Sequence, residues 1–89
     1  MGIDVQKVNE TTFQVSVGGR TPTEHTVSVS AAYYEKLTSR RASPEMLIQR
    51  SFEFLLEREP NTSILRRFEL SVIQTYFPEY EKSMETLFG

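Results

Sequence analysis

Ser43-Pro44-Glu45 spells the start of a helix: a hydroxyl to accept from a free backbone amide, a proline at the first helical position, and an acid in the positive first turn. The helix it opens is expected to run over residues 44–59, where Pro60 and Asn61 stop it. At about 100° per residue, Leu47, Ile48, Phe52, Phe54, Leu55 and Leu56 cover an arc of roughly 200°, leaving Arg50, Glu53 and Glu57 as a polar stripe. A helix lying on a surface has a narrower apolar arc. This one must be covered from two directions, by a sheet on one side and by later helices on the other, and any fold of the chain has to be built around it.

The residues before it supply the sheet. Phe13, Val15 and Val17 alternate with Gln14 and Ser16, the period-two signature of a half-buried strand, and Gly18-Gly19 follows as a turn. Thr26-Val27-Ser28-Val29 repeats the alternation, so the two segments form an antiparallel hairpin whose loop holds Pro22. Ile3 to Val8 can add a third strand across the turn at Asn9-Glu10-Thr11. Ser30 then caps a short helix over residues 31–38, in which Tyr33 and Leu37 share a face directed at the sheet.

Beyond Pro60, two brief helical turns are expected. Asn61 or Thr62 caps one containing Ile64, Leu65 and Phe68, and Ser71 caps one containing Val72, Ile73, Tyr76 and Phe77. After Pro78, Tyr80, Met84, Leu87 and Phe88 fall at i, i+4, i+7 and i+8, an apolar stripe that either docks on the core or pairs with another chain. The fold class is therefore α+β: an N-terminal antiparallel hairpin or three-stranded sheet over residues 1–29, a short helix at 30–38, a long central helix at 44–59, and short helices with an amphipathic tail at 62–88, all in one domain.

Composition narrows the function. With 89 residues, 38% hydrophobic and 25% charged, the chain is of ordinary globular character. It has no cysteine, which excludes disulfides, thiolate metal sites and thiol nucleophiles and favours a cytoplasmic setting. The longest unbroken apolar run is Phe54-Leu55-Leu56, against the roughly 20 residues of a membrane span. Met1-Gly2-Ile3-Asp4-Val5-Gln6 has neither the charged-then-apolar order of a secretion signal nor the Ser or Thr that an acylation motif wants at Gln6. A net charge of -2 builds in no general attraction to nucleic acid or anionic lipid.

Candidate chemistry is sparse. The one histidine, His25, is expected at the surface of an edge strand beside Glu24, with no second histidine for a metal pair. Glu53, Glu57 and Glu59 share their helix with Arg50 and Arg58, and charge pairing accounts for them. Gly18-Gly19 precedes no helix, so it cradles no phosphate. Arg40-Arg41 and Arg66-Arg67 flank the long helix, about 24 Å apart if it has about 16 residues, and need not form one patch. Arg40-Arg41-Ala42-Ser43 also has the form of a basophilic kinase site, although capping already explains Ser43. No catalytic residue, cofactor or metal is expected.

Two resemblances add to this. Thr26-Val27-Ser28-Val29-Ser30, Tyr33-Tyr34-Glu35-Lys36-Leu37 and Ser43-Pro44-Glu45-Met46-Leu47-Ile48 resemble the strand and two helices of ribbon-helix-helix DNA-binding proteins, among them many antitoxins. That resemblance, over residues 25–59, implies a dimer whose strands pair across a two-fold axis, with Thr26 and Ser28 facing the major groove and Arg40 and Arg41 available to phosphates. Pairing of that strand inside its own chain with Phe13–Val17 would exclude the ribbon. The second half, from Ser51-Phe52-Glu53-Phe54-Leu55-Leu56 through Tyr76-Phe77-Pro78-Glu79-Tyr80, resembles a family of small uncharacterised bacterial proteins of about this length, which implies a bacterial, cytoplasmic setting and transfers no site. The leading expectation is a non-enzymatic module that binds another protein or itself through Tyr80, Met84, Leu87 and Phe88; the alternative is a ribbon-helix-helix-like nucleic-acid-binding regulator or antitoxin.

Overall fold

The computed structural model describes residues 2–88. Strands β1 (Ile3–Lys7), β2 (Thr12–Val17) and β3 (Thr23–Ser28) form an antiparallel meander, and helices α1 (Ala31–Thr38) and α2 (Pro44–Leu56) follow. A 3₁₀ turn (Asn61–Ser63), strand β4 (Arg67–Glu69), and helices α3 (Val72–Tyr76) and α4 (Tyr80–Phe88) complete the chain. The sheet order is β1-β2-β3-β4, so the fold is α+β with a mixed four-stranded sheet.

The expected third strand is present: β1 pairs with β2 from Ile3 opposite Val17 to Lys7 opposite Phe13. Its turn is held by Asn9, whose Oδ1 accepts from the Thr11 amide at 3.0 Å. Alternation sends Phe13, Val15, Val17, His25 and Val27 into the core, while Gln14, Ser16, Glu24 and Thr26 line the opposite face. On that outer face the Glu24 carboxylate accepts from Gln14 Nε2 at 3.0 Å and Ser16 Oγ at 2.7 Å, bonds that hold it below its usual range.

Both helix starts follow their sequence signals. Ser30 Oγ accepts from the Tyr33 amide and Ser43 Oγ from the Met46 amide, each at 3.1 Å. α2 buries Leu47, Ile48, Phe52, Phe54 and Leu55, packs on β1, and is covered from other sides by α1 and α4. Ser51, which carried no apolar signal, is fully buried with them.

Five details differ from expectation. α2 ends at Leu56, short of Glu59; the amides of Arg58 and Glu59 both turn back to the Leu55 carbonyl, which tightens the chain ahead of Pro60. The segment expected as a helical turn around Phe68 is instead β4, parallel to β3 with Thr26 opposite Arg67 and Ser28 opposite Glu69. Backbone bonds from Thr26 N to Arg66 O and from Leu70 N to Ser28 O fix it there, and α1 and α2 provide the crossover a parallel pair needs. Neither Ser71 nor the residues around Asn61 cap a helix through a side chain: Ser71 precedes α3 with right-handed helical backbone angles and no side-chain cap bond, and Asn61 Nδ2 donates to Thr21 O at 2.8 Å and Thr23 Oγ1 at 2.9 Å. On α1, Leu37 enters the core, but Tyr33 turns to α4.

The fifth concerns His25, which is interior and not at an edge. β4 lies beyond β3, and the His25 ring is buried against Phe52 with centroids 5.4 Å apart. Its Nδ1 lies 2.8 Å from Leu65 O, and since a carbonyl only accepts, Nδ1 carries the hydrogen; in the neutral ring Nε2 then accepts from Thr23 Oγ1 at 2.8 Å. Asn61, Thr23, His25 and the Leu65 carbonyl thus form one polar chain that pins the segment after α2 onto the sheet.

Candidate interaction surfaces

α4 begins where Pro78 has ended the preceding segment, and its first turn is tied down on three sides. Gln74 Oε1 accepts from the Glu81 amide at 2.8 Å. Toward α2, Tyr80 is fully buried with its ring edge-on to Phe54 at 5.3 Å, and its hydroxyl lies 2.6 Å from Ser51 Oγ. Toward α1, Glu81 accepts from Tyr33 Oη at 2.8 Å and Lys36 Nζ at 2.9 Å. The Lys36 bond, with help from Tyr33, holds the Glu81 carboxyl below its usual range. Burial, reinforced by Glu81, raises the Tyr33 phenol, and burial raises that of Tyr80. Close by, the Arg58 guanidinium lies 3.5 Å over the Phe54 ring while Nε donates to Glu79 at 3.2 Å.

The apolar stripe of the tail therefore divides. Tyr80 and Met84 belong to the core, whereas Leu87 is 53% exposed and Phe88 only partly covered. Leu87 and Phe88 border an open hollow shared with the start of α2, where Met46 is 41% exposed and Arg41 and Arg50 stand at the margin. Of the four residues expected to meet a partner, Tyr80 and Met84 are buried and Leu87 and Phe88 keep accessible surface, beside Met46, which the periodicity had left unassigned. Met46 lies off the buried arc of α2, and an exposed methionine in a first turn was the signal that could have found it.

A second apolar surface lies at the other end of α2. Ile64, Leu65, Phe68, Val72, Ile73 and Phe77 wall a cleft of about 310 Å³, with Leu65 48% and Tyr76 65% exposed at its mouth. Among the described residues, partly buried Glu59 is the one charged side chain that lines it, and desolvation raises its carboxyl above the usual range. No local pattern in the sequence points to this cleft, because it forms only where β4, α3 and the segments beside them pack together.

The residues of the alternative reading are not brought together. Thr26 and Ser28 are on the outer sheet face, with Thr26 Oγ1 donating to Gln14 at 3.1 Å, while Arg41 borders the hollow between α2 and α4 on the helical side. Arg40 is ion-paired with Glu35 at 2.9 Å. β3 is hydrogen-bonded to β2 on one edge and β4 on the other, so it has no free edge for a ribbon shared between two chains. Among the described residues no group of three or more acidic or histidine side chains is placed to hold a metal ion, and no helix is long and apolar enough to cross a membrane. Comparison of the chain with protein-family models, with curated proteins and with solved structures returned no match.

Proposed function

We propose that the chain is a non-enzymatic interaction module that self-associates through the far end of α4. The observation that carries this reading is the pairing of exposed Leu87 with exposed Met46 around one hollow, which the partly covered Phe88 also borders. Two such hollows brought together by a two-fold axis would cover four large apolar side chains at once, the geometry of an isologous contact. The area is small, so the dimer belongs to the weak, transient class, with a dissociation constant of order 10⁻⁴ M. A bacterial cytoplasmic setting, on the resemblance of the second half, is part of the same reading.

Sedimentation velocity over a wide concentration range tests it. The weight-average sedimentation coefficient should rise with concentration for the native chain and stay at the monomer value for Leu87→Glu and Met46→Glu. Leu87 and Met46 are exposed, so both variants should keep the native far-ultraviolet circular dichroism. A native chain that stays monomeric at millimolar concentration, or association untouched by both substitutions, would contradict the proposal.

A further inference from the structure

We propose that the cleft at the C-terminal end of α2 binds a small organic cation, a primary amine carried on a compact aromatic or aliphatic body. The site is remote from the Met46–Leu87 hollow, so the inference does not depend on self-association.

Size sets the first limit. A cavity of about 150 Å³ accepts one benzene ring, so about 310 Å³ holds a ring with a short chain. The walls set the second: Ile64, Leu65, Phe68, Val72, Ile73 and Phe77 offer van der Waals contact to an apolar body, and Tyr76 stands exposed beside them. Polarity sets the third. The Glu59 carboxylate makes no hydrogen bond or ion pair with the described residues, and the cleft it lines is otherwise walled mainly by apolar residues. An anion partly withdrawn from water without a partner is costly, and a ligand ammonium would supply the missing charge and donors. Ser63 also lines the cleft, and a serine hydroxyl can serve as a second acceptor for a group with three N–H donors. A carboxylate ligand would be repelled by Glu59, and a neutral one would leave it unpaired. The occupant argued for is therefore a free small molecule, recognised by its ammonium as much as by its apolar body.

The test is an NMR titration of the full chain at neutral pH with three probes of nearly equal shape: phenethylamine, phenethyl alcohol and hydrocinnamate. The amine should bind about five- to tenfold more tightly than the alcohol, as expected for a charge-assisted hydrogen bond at a partly exposed site. Hydrocinnamate should bind most weakly, and the shifts should fall on Leu65, Ile73 and Phe77. In Glu59→Gln the amine should lose its advantage while the alcohol keeps its affinity, and in Glu59→Asp part of the advantage should return. Equal binding of amine and alcohol by the native chain would mark a generic apolar groove, such as one covered by a partner segment, and would overturn the proposal without recourse to a variant. So would an amine preference that survives Glu59→Gln, shifts centred elsewhere, or no binding of any probe.

Discussion

The hydroxyl pair between α2 and α4 gives a prediction whose ranking is set by geometry. Ser51 Oγ donates to Leu47 O at 2.7 Å, which uses its only proton, so the Tyr80 hydroxyl 2.6 Å away must be the donor to Ser51. Ser51→Ala leaves that buried hydroxyl without an acceptor, a penalty of about 1–3 kcal/mol, offset by up to roughly 0.5 kcal/mol from alanine's better helix propensity. Tyr80→Phe removes the donor but leaves Ser51 bonded to Leu47, so it costs only the net value of one hydrogen bond, about 0.5–1.5 kcal/mol. The double variant has no orphaned group and should be more stable than Ser51→Ala alone. Urea unfolding followed by far-ultraviolet circular dichroism would measure all four species, and 1 kcal/mol corresponds to roughly 4–8 °C in Tm for a domain of this size. If the two substitutions add to within about 0.5 kcal/mol, or if Tyr80→Phe costs more than Ser51→Ala, the bond and its direction are wrong, and with them the account of how α4 is docked.

Two further outcomes follow from the backbone after α1 and from Tyr33 and Tyr80. Ser39 and Arg40 hold positive φ values of 52° and 60° at the end of α1, where glycine is favoured, so Ser39→Gly should raise stability by about 0.5–1 kcal/mol; a lower urea midpoint would show that the turn is not strained. Tyr33 and Tyr80 are both raised in the fold, so above pH ~10, where tyrosine ionises in the unfolded chain, the unfolded state releases protons that the folded state keeps, and stability falls with rising pH. Urea midpoints should drop across that range, less steeply in Tyr33→Phe; tyrosinate absorbance from these two residues near pH 10 with the circular dichroism intact would contradict this.

How far the sequence could be read depended on whether each signal was local. Ser43-Pro44-Glu45, the Ser30 cap and the alternation of Phe13, Val15 and Val17 act within a few residues, and each appears where expected. β4 was invisible because three residues, Arg67-Phe68-Glu69, make too short a window for period two, and its strand geometry comes from pairing with Thr26–Ser28, far earlier in the chain. His25 had the inward parity of Val27 two positions on, but its polarity argued for the surface until Thr23 and the Leu65 carbonyl could be seen to satisfy both ring nitrogens. The tail stripe was legible as a stripe. That Tyr80 and Met84 would spend their apolar surface on α2, leaving Leu87 and Phe88 beside Met46, depended on the position of Ser51 within a helix whose polar residues were expected to face outward.

The most direct test of the central claim is an isotope-filtered NOE experiment on an equimolar mixture of carbon-13-labelled and unlabelled chains at high concentration. Self-association through the end of α4 predicts intermolecular contacts from the Met46 methyl to Leu87 and Phe88 of the second copy, and their loss in Leu87→Glu. Intermolecular contacts running along β1 or the outer sheet face, or none at any concentration, would contradict it.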